Sequence, residues 1–92
     1  MITWEQKKEL VKAINNKNYK EIEKFVDQYI EAFDCQSWDI LACMPLIQDN
    51  YSKGFLNKVK SHYKKAYENG LLDNLSMRHA IRLAFAFSDM EV

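Results

Sequence analysis

Apolar side chains recur along most of this chain with the period of an α-helix. The clearest stretch is Ile22, Phe25, Val26, Tyr29, Ile30 and Phe33, spaced i, i+3, i+4, i+7, i+8 and i+11. That spacing puts all six on one stripe of a helix. Glu21, Glu23, Lys24, Asp27, Gln28 and Glu31 cover the other side. A first helix precedes it. Thr3 and Gln6 have the spacing of a capping box, Trp4, Leu10, Val11 and Ile14 are its apolar positions, and Asn15-Asn16 predicts its end. Asn18 and Glu21 repeat the box spacing where the second helix starts.

The middle of the chain is more apolar. Asp34 to Ser37 reads as a short polar connection, with Ser37 capping a third helix that starts at Trp38. Trp38, Ile40, Leu41, Ala42, Cys43, Met44, Leu46 and Ile47 leave that helix no polar face, the pattern of an element buried in the centre. Pro45 predicts a kink or break near Cys43-Met44, because it lacks a backbone donor and its ring clashes with the preceding turn. Gln48-Asp49-Asn50 reads as a turn. Ser52 caps a fourth helix with Phe55, Leu56, Val59, Tyr63, Ala66 and Tyr67 on one face, and Asn69-Gly70 ends it. Leu71 to Leu75 connects it to a last helix, capped by Ser76 and running from Met77 to about Ser88. Ala80, Ile81, Leu83, Ala84, Phe85 and Phe87 form its wide, largely buried stripe, and the final four residues fray.

Composition agrees with this reading. Two Gly and one Pro in 92 residues are too few for the turns of an all-β fold. Hydrophobic residues at 48% and charged residues at 28% are the proportions of a globular protein. The expectation is an all-α fold, a compact bundle of about five helices in one domain spanning residues 1–92. An offset of 34 residues aligns Trp4 with Trp38, Tyr29 with Tyr63 and Ala32 with Ala66, which keeps a helix-pair array as an alternative.

Most chemistries lack their residues. Cys35, Cys43, His62 and His79 stand apart, without metal-ligand spacing. Cys43 reads as a small core hydrophobe, and Cys35 lies near Asp34 and Asp39, surroundings that do not activate a thiol. Gly54 and Gly70 are the only glycines, so no phosphate-cradling loop exists. The expectation is a protein that is not an enzyme and has no cofactor and no metal. No apolar signal segment follows Met1, the longest apolar run is Ile40 to Ile47, and two cysteines do not make a disulfide framework. A cytoplasmic location is therefore expected, with no membrane partner.

Charge adds the one functional pointer. Thirteen basic and thirteen acidic residues give zero net charge, which removes a globally basic nucleic-acid binder. Along the chain the balance is uneven. Glu21 to Asp49 holds seven acids and one base, and Lys53 to Tyr67 holds five lysines and no acid. Glu21, Glu23, Asp27, Glu31, Asp34 and Asp39 are the candidate partner-binding residues. They suggest a small binding protein of immunity, antitoxin or phage-inhibitor type that docks on another protein and inhibits it, such as a basic toxin or nuclease. The alternatives are a helical adaptor subunit, with Trp4, Tyr19, Tyr51, Phe85 and Phe87 as residues to find exposed, and a nucleic-acid binder using the lysines of helix 4. The last is the less favoured, since helix 4 has no arginine for base readout.

Overall fold

A computed structural model describes residues 2–44 and 50–87, with side chains placed for 2–44 and 50–84. Among these residues five α-helices follow in order: α1 Trp4–Asn15, α2 Tyr19–Tyr29, α3 Cys35–Leu41, α4 Lys53–Glu68 and α5 Met77–Phe87, with a 3₁₀ turn, Ile30–Ala32, after α2. The described residues contain no strand. The protein is an all-α bundle measuring 29 × 28 × 22 Å. All five helices contribute to one apolar cluster, among them Leu10 from α1, Ile22 from α2, Trp38 from α3, Val59 from α4 and Leu83 from α5. A shared core makes this a bundle rather than an array of helix pairs. The 34-residue offset has no counterpart in environment at its two tryptophans, since Trp4 is 56% exposed and Trp38 1%.

The helix ends follow from local chemistry. The Gln6 N–H donates to the Thr3 hydroxyl at 3.2 Å and the Thr3 N–H to the Gln6 side chain at 2.8 Å, which closes the capping box. At the far end of α1 the Lys17 N–H donates to the Ile14 carbonyl and the Asn18 N–H to the Ala13 carbonyl. α4 ends with the same pair of bonds, from Gly70 to Tyr67 and from Leu71 to Ala66. Both are Schellman motifs, which need a left-handed residue: Lys17 has φ 53° and Gly70 φ 71°. Gly54, in the first turn of α4, has no such reason to be glycine. A Cβ there would meet nothing within 4 Å. Gly54→Ala is expected to stabilise the protein by about 0.5–1 kcal/mol, read as a higher urea midpoint at unchanged m-value.

Several elements differ from the sequence pattern. α1 is turned so that Lys7, Leu10 and Ile14 face the core, while Trp4 and Val11 are exposed. Lys7 takes the inward position because its aliphatic stem packs like an apolar side chain while its ammonium finds polar partners on α3. α2 buries its predicted stripe but tightens into the 3₁₀ turn, and Phe33 is extended. That exit brings Phe33 edge-on to Trp38, with ring centroids 5.4 Å apart.

α3 begins three residues before Trp38. Its cap is Asp34, whose carboxylate accepts from both the Ser37 N–H and the Ser37 hydroxyl at 2.8 Å. Ser37 is therefore a buried residue of the first turn and not the cap. The described helix ends at Leu41, and Cys43 is exposed, not a core residue. The break expected near Cys43-Met44 is present, since the helix gives way to a turn after Leu41. The burial of Leu46 and Ile47, the Gln48-Asp49 turn, the side chains of Phe85 and Phe87 and the fraying of the last residues lie outside the described residues. In α4 the predicted face is buried or half-buried except Tyr67, which is 70% exposed. In α5 Leu83 is buried, but Ile81 and Ala84 are exposed, so its stripe is narrower than expected.

Candidate functional site

The six acids selected from the sequence follow one another along the chain from the start of α2, through the 3₁₀ turn, to α3, but they do not share one face. Glu21 lies on the α1 side of α2 with Glu9, Lys12 and Asn16, and Glu23 and Asp27 lie elsewhere on that helix. Two are uncommitted. Glu21 and Glu31 are exposed, and their carboxylates make no hydrogen bond or ion pair among the described residues. The other four are each tied to a different element. Glu23 accepts from the Ser52 hydroxyl at 2.9 Å, which links α2 to the cap of α4. Asp27 lies 3.4 Å from the Lys58 ammonium, which also donates to the Asp27 carbonyl oxygen at 3.3 Å. Asp39 on α3 pairs with Nδ1 of His79 on α5. Asp34 pairs with Lys7 at 2.8 Å in addition to capping α3.

The Asp34 cluster is the most elaborate. Lys7, 6% exposed, donates to Asp34 Oδ2 at 2.8 Å and to Gln36 Oε1 at 2.7 Å. Burial pushes the Asp34 carboxyl up. The Lys7 hydrogen bond and the Ser37 N–H and hydroxyl outweigh that, and the net position is below its ordinary 3.8. Lys7, Ser52, Lys58 and His79 are the partners that the sequence pattern missed. One signal was available for Lys7: it lies three residues before Leu10 and seven before Ile14, on the same helical stripe.

Glu23 and Asp27 line, with Lys20, Lys24 and Gln28, a shallow hollow on α2. A groove of about 310 Å³ runs beside the 3₁₀ turn and the last turns of α4, over Phe33 and Trp38, with Glu31, His62 and Lys65 among its polar lining. The Tyr51 hydroxyl is buried with no hydrogen-bond partner among the described residues, and burial together with Tyr19 and Glu23 pushes the phenol up to about 12, so it stays protonated. Of the residues singled out for exposure, Trp4 is exposed, Tyr19 half-buried and Tyr51 buried.

Among the described residues no three His, Cys, Asp or Glu side chains are placed to hold a metal ion, and no helix is long and apolar enough to cross a membrane. No protein-family model, no curated protein and no solved structure matches this chain.

Proposed function

We propose that this is a small, non-enzymatic cytoplasmic protein that docks on a basic partner protein through the acidic path Glu21, Glu23, Asp27, Glu31, Asp34 and Asp39, and so inhibits it in the manner of an immunity protein or antitoxin. The observation that carries the reading is the anchoring of four of these carboxylates. Glu23, Asp27, Asp34 and Asp39 are each held by a side chain from another part of the chain. A carboxylate that is already fixed loses less rotamer freedom on binding than a free one. Lys7 and Lys58 offset part of the charge, which leaves Glu21, Glu23, Glu31 and Asp39 without a lysine partner among the described residues.

The test uses Glu21→Lys plus Glu31→Lys, because neither residue holds the fold together. The complex captured from the native host is identified by mass spectrometry, and its Kd is measured with both forms. A tenfold or greater loss of affinity, greatest at low salt, is expected. Unchanged affinity removes Glu21 and Glu31 from the interface, and unchanged affinity in Glu23→Lys plus Asp27→Lys as well overturns the acidic docking face. Exposure of Trp4, Val11, Met77 and Ile81 favours a second reading, a helical adaptor that binds through apolar contacts. Trp4→Ala separates the two: loss of the partner with this variant and retention with the charge reversal moves the interface to α1.

A further inference from the structure

Lys53, Asn57, Lys60, Lys64 and Tyr67 are spaced i, i+4, i+7, i+11 and i+14 along α4. They form one line down the helix, roughly 21 Å long at 1.5 Å per residue. None of them belongs to the buried face, which is made by Phe55, Leu56, Val59 and Ala66. From the line we infer a second surface, independent of the acidic path: the lysine line of α4 with Tyr67 at its end binds single-stranded nucleic acid, without sequence preference.

Three observations support it. The basic charge of α4 survives folding. Only Lys58 finds an acid, and among the described residues Lys53, Lys60, Lys64 and Lys65 have no ion pair. Asp34 is engaged by Lys7 and Asp39 by His79, and Glu31, which lines a groove together with Lys65, makes no ion pair with it. Within α4 itself the only acid is Glu68, in the last turn. The second observation is the type of cation. Lysine is a compact point charge suited to phosphate, and it is depleted in protein interfaces, whereas arginine is the residue for carboxylate forks and base edges. α4 has five lysines and no arginine. The third is Tyr67. At 70% exposed, its ring lies on the lysine line and is free for an unstacked base, which a single strand offers and a duplex does not. A lipid surface fits less well, because Asn57 lies on the line and Gly54 and Ser61 beside it, and a membrane-binding face needs large apolar residues there.

The experiment is fluorescence anisotropy of the full chain with labelled twenty-nucleotide poly(dT) and poly(U), at 20 to 200 mM salt. Binding is expected at low salt, with log Kd rising against log salt at a slope of about 2 to 3, the value for three or four phosphate contacts on a single strand. The two oligonucleotides tell whether DNA, RNA or both are taken. Lys60→Glu plus Lys64→Glu is expected to weaken binding at least tenfold. Tyr67→Ala is expected to weaken it at least fivefold while leaving the salt slope unchanged. Circular dichroism checks folding, and Lys53→Gln plus Lys64→Gln, two exposed positions, decides the matter if the charge reversal unfolds the protein. No binding at 20 mM salt overturns the proposal. So does tighter binding to a duplex of the same length, binding to phosphatidylserine vesicles without binding to either oligonucleotide, or full retention in the lysine variants.

Discussion

Trp38→Ala is expected to lower stability by about 3–5 kcal/mol, the usual range for removing a large buried aromatic side chain. Trp38 is 1% exposed and lies at the junction of three elements. Its ring meets Phe33 edge-on at 5.4 Å and Tyr63 at 5.9 Å, so it joins the exit of α2 to the middle of α4. Its loss opens a cavity that short α3 cannot close, because the Lys7–Asp34 pair and the Asp39–His79 pair hold that helix to α1 and α5. A domain of this size has a total stability of about 5–14 kcal/mol, so the loss is a large fraction of it. Thermal unfolding followed by circular dichroism should show the midpoint lowered by on the order of 15–30 °C. Trp4→Ala is the contrast: at 56% exposed its removal should shift the midpoint by a few degrees at most.

Asp34→Ala is expected to cost about 2 kcal/mol, by two routes. It removes the cap of α3, worth about 1 kcal/mol. It also leaves the buried Lys7 ammonium with Gln36 as its remaining partner. A fully buried pair broken on one side costs more, but the Asp34 side chain is 47% exposed, and solvent screening reduces the figure. The cost should depend on pH. The Asp34 carboxyl sits below its ordinary 3.8 in the folded protein. A depressed carboxyl contributes stability above its unfolded value, and that contribution is lost as pH falls through the lower folded value. Urea unfolding at pH 7 should therefore show the full difference between wild type and Asp34→Ala. Below about pH 3.8 the gap should narrow, leaving the part that comes from the lost packing and cap geometry. Glu31→Ala, which removes a carboxylate that makes no hydrogen bond or ion pair among the described residues, should show neither effect.

These two predictions rest on different kinds of legibility. The α2 stripe, from Ile22 to Phe33, was readable because helical periodicity is a local property and six apolar residues leave only one face to bury. The capping box of Thr3 and Gln6 and the stop at Gly70 were readable for the same reason: each is a contact within a few residues. The start of α3 is local too, yet the pattern points to Ser37 as its cap where the structure has Asp34. Asp34 and Ser37 are both good caps, and the choice between them depends on Lys7, twenty-seven residues away, which holds the Asp34 carboxylate in place. Trp4 and Lys7 show the same limit in α1. Their positions allow two rotations of the helix, and the pattern alone prefers the one that buries tryptophan.

The candidate site divides along the same line. Residue types, their order and the opposite charges of α2 and α4 are written in the chain, and so were the six acids and five lysines. Which charges meet was set by packing. Asp27 found Lys58, Asp39 found His79 and Asp34 found Lys7, while Glu21, Glu31, Lys53, Lys60 and Lys64 found no ion-pair partner among the described residues. The physical reason is one of range. Periodicity and capping act within one or two helical turns, so a linear pattern records them. A pair between helices depends on how each helix is rotated about its axis, and that rotation is a property of the whole core.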